Sequence, residues 1–161
     1  MATCWRAEMD PNATPQPAPL VEIDAAKAAH VLSIFARAAF IERLGLRVLR
    51  LAEGVVEVEL DVRPDHLQQD GFVHAGVLAT VADHTAGGCA ATAAPLGTQV
   101  LSIEFKINLL RPALGPKIWC QARSLRVGKT IAVIESEVWD VPAGARKLVA
   151  KASVTLALRG A

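Results

Sequence analysis

The chain has no tyrosine, only four phenylalanines and three tryptophans among 161 residues, and a formal net charge of +1. No basic cluster interleaves with those few aromatics, which argues against a nucleic-acid partner. Cysteine is scarce as well. Cys4, Cys89 and Cys120 are odd in number and widely spaced, so they suit neither a disulfide framework nor a zinc site, and a reducing cytoplasm is the simplest expected location. No apolar run approaches the roughly 20 residues that cross a bilayer, so no membrane partner is expected. Met1 to Pro19 carries no basic-then-apolar signal pattern.

What is present is apolar. Hydrophobic residues make up 52% of the chain, enough for a sizeable core in a single domain of this length. Residues 1–22, rich in proline at Pro11, Pro15, Pro17 and Pro19, read as a disordered tail, and residues 23–161 as one domain. From Asp24 to about Arg43, Val31, Ile34, Phe35, Ala38 and Ile41 recur at helical spacing, with Asp24 as N-cap and Gly45 as the stop. Leu46, Val48 and Leu49 then lead to Gly54. Val56, Val58, Leu60 and Val62 alternate with Glu57, Glu59 and Asp61, which predicts a half-buried strand. A loop over 64–73 feeds a helix over 75–93. Four further strands follow, over 99–110, 117–127, 130–141 and 147–159, with a turn at Pro142–Gly144 joining the last two.

Helices set apart from runs of antiparallel strands define an α+β class. The helix at 75–93 is too apolar for a surface, and a sheet wrapped around it would explain that. Such a sheet leaves an edge for a second protomer. Placing residues ~100° apart puts Val77, Leu78, Val81, Ala82, Thr85 and Cys89 on the sheet side. Gly76, Ala79, Thr80, Asp83, Ala86 and Gly87 fall opposite, so Asp83 sits in a stripe of small residues that lets a partner helix or a thin ligand come close.

The stretch from Gln68 to Asp83 carries the chemistry. A polar loop ends at His74-Ala75-Gly76, where a helix starts with unpaired N–H groups that suit an oxyanion. One carboxylate, Asp83, is expected to be buried in the helix interior, and a buried carboxylate is costly unless used or paired. Satisfaction of Asp83 by backbone or hydroxyl donors is the plainer alternative. His74 and Asp83 are about nine residues apart and lie on roughly opposite sides of the helix. A dyad or shared metal within one protomer is therefore not expected, and the spacing offers no metal site. His84 points ~100° from Asp83 and reads as a packing or interface residue, with ligand contact as the lesser alternative.

Gln68, then His74-Ala75-Gly76, then Asp83, together with Ile107-Asn108-Leu109-Leu110-Arg111-Pro112-Ala113 and Arg126-Val127-Gly128-Lys129-Thr130, resemble the hotdog-fold acyl-CoA thioesterases of the phenylacetate-pathway, PaaI-like type. The resemblance covers roughly residues 40–158. It implies an antiparallel sheet wrapped around a central helix, here with an extra N-terminal helix, and hydrolysis of an acyl-CoA to free acid and coenzyme A without a metal or separate cofactor. It also implies at least a homodimer, commonly a homotetramer. Asp83 would be the nucleophile or the base that activates water. The N–H of Ala75 would hold the oxyanion, and Gln68 of the same protomer would orient the thioester or the water. Asp83 would come from the facing protomer. Ser102 lies where some relatives position the nucleophilic water; a strand hydroxyl bonded to backbone is the competing reading. Arg126, Gly128 and Lys129 lie where relatives contact the coenzyme A nucleotide, or they form an ordinary hairpin turn.

Ala75 replaces the family's first glycine, and its Cβ would narrow the approach to the carbonyl. Gln68 replaces the commoner asparagine, as in the related 4-hydroxybenzoyl-CoA thioesterases. Two other functions compete. An acyl-thioester dehydratase would use His74 as its proton-transfer base, and a non-catalytic acyl-CoA-binding protein would bind without releasing thiol.

Overall fold

The computed structural model describes residues 22–142 and 145–160. The expected tail, Cys4 and the tip of the Pro142–Gly144 turn lie outside the described residues. Helix α1 spans Ala25–Arg37 and α2 spans Ala39–Leu44. The strands are β1 (Leu46–Ala52), β2 (Val55–Asp61), β3 (Gln99–Leu109), β4 (Lys117–Val127), β5 (Ile131–Asp140) and β6 (Lys147–Arg159), with the long helix α3 (Ala75–Ala93) between β2 and β3. All described pairings are antiparallel, and the order across the sheet is β1-β2-β4-β5-β6-β3. Helix α3 packs against all six strands.

Each boundary has a local cause. Asp24 caps α1 by accepting from the N–H groups of Ala26 and Lys27, and Gly45 ends α2 in the left-handed conformation at φ 83°, which glycine adopts at no steric cost. The single helix expected over 24–43 is two helices. The chain breaks at Ala38, which is extended at ψ 92°. Packing overrides helix propensity here. Val31 and Phe35 are buried from α1 and Ile41 and Leu44 from α2, and the break re-aims the second pair.

In β2, Val56, Val58 and Leu60 are fully buried, as the alternation requires. Ser136 on β5 donates to the Ala82 carbonyl of α3 at 2.9 Å, fastening sheet to helix. The sheet curls farther round α3 than the helical wheel suggests: Ala86, expected on the open stripe, is fully buried. Gly88 is there for packing, since a Cβ would lie 2.6 Å from the Phe35 ring. No helix among the described residues is long and apolar enough to cross a membrane.

The edge strand β3 departs most from expectation. Leu101, Ile103, Phe105 and Leu109 are 53, 57, 43 and 52% exposed. The apolar alternation is real, but this chain alone does not cover it. Its register with β6 also shifts between Ser102 and Glu104.

Candidate active site

The loop before α3 is tied down at both ends. Gln68 N–H donates to Phe72 O, Gly71 N–H to Gln68 O, Val73 N–H to Ala113 O and His74 N–H to His66 O, all at 2.8–3.0 Å. Gly71 takes φ 83° to close the turn. The Gln68 Oε1 accepts from Asp70 N–H, which fixes the amide of that side chain against its own loop.

His74 is the N-cap of α3, and its Nδ1 accepts the Gly76 N–H at 2.9 Å. A Cβ at position 76 would stand 3.0 Å from that Nδ1, so glycine lets the imidazole lie against the helix end. The carbonyl of His74 accepts from Val77 and Leu78. The Ala75 N–H has no acceptor among the described residues, and it sits at the positive end of the α3 dipole. Ala75 itself is exposed, so an alanine side chain fits where the cap leaves no room at 76.

Asp83 lies two turns farther along α3. It is half-buried, not buried, because the exposed edge strand beside it leaves that face of α3 open. Ser102 on β3 donates its hydroxyl to Asp83 Oδ1 at 2.8 Å. That contact falls at the register shift in β3, and such irregularities re-aim side chains. The competing reading of Ser102, a hydroxyl bonded to backbone, does not describe this structure. The neighbouring His84 packs edge-on to Phe35 with centroids 4.6 Å apart. Burial pushes its pKa below the ordinary value, partly opposed by the Asp83 carboxylate, and its Nε2 is buried without a partner.

Two clefts hold these groups. One, of about 390 Å³, is lined by Gln68, Phe72, Ala75 and Leu78, by Leu109 at the end of β3 and by residues 110–113 after it. The other, of about 430 Å³, is lined by Asp83, His84, Gly87, Ser102 and the α1 face His30, Ile34 and Arg37. They share no residue. One chain thus brings Gln68 to Ala75, and Asp83 to Ser102, but not the two pairs together. His74 lines neither; with Gly76 it borders a third cleft, near Phe40 and His66.

Arg126, Gly128 and Lys129 are exposed at the β4–β5 hairpin, where Gly128 N–H donates to Ile131 O at 2.8 Å. Val127, Ala132, Leu156 and Ser102 stand in one row across β4, β5, β6 and β3. Three strand spacings put the hairpin roughly 14 Å from Ser102.

Sequence reasoning passed over His66. It is 2% exposed; its Nδ1 accepts the Arg63 N–H at 3.1 Å. Arg63 in turn donates to the carbonyls of Arg43 and Leu44, which locks the end of α2 to the loop. The spacing of His30, Ile34 and Arg37 marks one face of α1, and that face roofs the Asp83 cleft. No group of side chains among the described residues could hold a metal ion.

The family model of the thioesterase superfamily matches residues 70–145, from the loop through β5. A solved thioesterase family protein from Silicibacter pomeroyi is 32% identical, with a TM-score of 0.80 over 82% of this chain and 97% of that one. The PaaI protein of E. coli, from the phenylacetic acid degradation operon, has the same fold at a TM-score of 0.77 and 19% identity, over 86% of this chain and 97% of its own. A 1,4-dihydroxy-2-naphthoyl-CoA hydrolase of Listeria monocytogenes is 26% identical over 62% of this chain and 80% of its own length. The chain belongs to the thioesterase superfamily. It is a hotdog-fold thioester hydrolase.

Proposed function

We propose that the protein hydrolyses an acyl-CoA thioester to a free acid and coenzyme A at a site completed by a second copy of the chain. The observation that carries this reading is the division of groups between two clefts. The carboxylate fixed by Ser102 lies in one, and the unpaired Ala75 N–H in the other. Both clefts reach the exposed edge strand β3.

The geometry of β3 supports the pairing. A long, apolar, unpaired edge is a template for another strand. Antiparallel pairing of two copies about the middle of Gln99–Leu109 sets Ser102 opposite the partner's Lys106 and Leu101 opposite its Ile107. The Asp83 cleft of one protomer then adjoins the partner's Leu109 and Leu110, which line the Gln68–Ala75 cleft. A C₂ dimer so formed has two equivalent sites.

In the reaction, Ser102 holds Asp83 Oδ1 and leaves Oδ2 for chemistry. Oδ2 attacks the carbonyl carbon, or takes a proton from the water that does. The carbonyl oxygen takes up negative charge against the partner's Ala75 N–H at the helix terminus. Collapse breaks the C–S bond. On the water route the free acid forms directly and the thiolate takes the proton that Asp83 accepted. On the nucleophilic route water then hydrolyses the acyl–Asp83 anhydride, releasing the acid, restoring the carboxylate and supplying the proton to the thiolate. Gln68 orients the thioester or the water from the same cleft as Ala75. Arg126, Gly128 and Lys129 offer basic side chains and an open backbone for the coenzyme A phosphates. The dimer is the functional unit, and two dimers joined as a tetramer would leave both sites intact.

The dehydratase reading is less well supported. His74 spends its Nδ1 on the helix cap and borders a different cleft from Asp83. A non-catalytic binder would take up acyl-CoA stoichiometrically and release no thiol. The test is Asp83→Asn assayed by thiol release over acetyl, medium-chain, aryl and long-chain esters. We expect nearly all turnover to be lost with fold and oligomer intact; near wild-type activity would remove Asp83 from the reaction.

A further inference from the structure

We propose that Gly87 sets the size of acyl group the enzyme accepts, and that the cleft beneath α1 is where that acyl group lies; this rests on the thioesterase reading. Helix α3 carries adjacent glycines in its interior, each among the poorest helix formers. Gly88 has a packing reason in Phe35. Gly87 has none, because a Cβ there would meet nothing within 4 Å. The missing side chain leaves space that the chain itself does not fill.

That space opens into the cleft that holds Asp83. Gly87 lies four residues after Asp83, one turn along the same helical face. Ile34 of α1 roofs the cleft, Val100 and Leu101 of β3 wall it, and Leu156 of β6 also lines it. These four apolar side chains share the cleft with the polar groups of His30, Arg37, Thr98 and Gln99. A volume of about 430 Å³ lies in the range of small-molecule sites. An acyl group whose carbonyl is held beside Asp83 can run down this cleft past Gly87, and the longer or bulkier it is, the more it needs the absent Cβ.

The experiment compares wild type, Gly87→Ala and Gly87→Leu on acetyl-, hexanoyl- and decanoyl-CoA. Thiol release, light scattering and calorimetric binding of decanoyl-CoA and free coenzyme A are measured together. In the leucine variant the ratio of kcat/KM for decanoyl-CoA to that for acetyl-CoA should fall about tenfold or more, the scale of discrimination a filled apolar pocket gives. The alanine variant should fall between. An unchanged ratio overturns the proposal, and so does dissociation of the alanine variant into single chains, which would place Gly87 in the interface. If wild type releases no thiol from any ester, the thioesterase reading fails separately. Binding then decides the cleft: weakened decanoyl-CoA with unchanged coenzyme A supports it, and equal affinities across the variants overturn it.

Discussion

Ser102 on the edge strand β3 donates its hydroxyl to Asp83 Oδ1 on the central helix at 2.8 Å. The contact joins two residues that are 19 positions apart and fixes the only carboxylate of α3. A hydrogen bond to a charged group contributes about 1.5–3 kcal/mol, and in the proposed reaction it also chooses which carboxylate oxygen would face the substrate.

Ser102→Ala should therefore lower kcat by about tenfold or more, the equivalent of about 1.5 kcal/mol, with a smaller change in KM. Steady-state thiol release decides it. An unchanged kcat would mean that Asp83 needs no orienting partner.

The two glycines of α3 should respond in opposite senses to alanine. At Gly87 the Cβ enters open space, and replacing a mid-helix glycine gains about 1 kcal/mol. At Gly88 it would stand 2.6 Å from the buried Phe35 ring, and overpacking costs about 1–3 kcal/mol. Calorimetry should show a raised Tm for Gly87→Ala and a lowered one for Gly88→Ala. Equal shifts would mean that α1 does not seat on α3 as described.

Cys89 and Cys120 should resist thiol reagents in the native protein. Both are fully buried, and burial pushes each thiol up to about 12, leaving almost no thiolate to react. Mass mapping after iodoacetamide should find both unmodified until denaturant is added. Rapid native labelling would show that the core opens.

Much of this was legible in the sequence. The helix over 75–93 is recovered to the residue because His74 marks its start and apolar positions fill its length. The strand over 117–127 follows from local pattern in the same way. The break at Ala38 was not legible, since no glycine or proline stands there and tertiary packing makes it. Asp83 was expected buried because it lies in the interior of an apolar helix. It is half-buried because the strand beside it is an edge, and edge position follows from non-local pairing that no local pattern encodes. The role of Ser102 was open for the same reason: whether its hydroxyl meets backbone or carboxylate depends on a register shift hidden inside a regular apolar alternation. His66 gave no signal, because its contacts, the Arg63 N–H on its Nδ1 and the His74 N–H on its carbonyl, arise from the fold of the loop.

The proposed oxyanion donor can be deleted without breaking the helix. Ala75 is the first residue of α3, where proline is tolerated, and His74 at φ −61° and ψ 138° has the conformation a residue before proline prefers. Ala75→Pro removes the free N–H alone and should cost about 10²–10³ in kcat. A loss under tenfold would assign the oxyanion to another donor.

The shared site is tested most directly by mixing the two inactive chains. Asp83→Asn and Ala75→Pro proteins would be unfolded together, refolded, and assayed for thiol release, with mixed dimers verified by mass. Each mixed dimer holds one site with an intact Asp83 from one chain and an intact Ala75 from the other. Random pairing should restore roughly a quarter of wild-type activity from two nearly inactive parents. Verified mixed dimers with no activity above the parents would contradict a site built from two protomers.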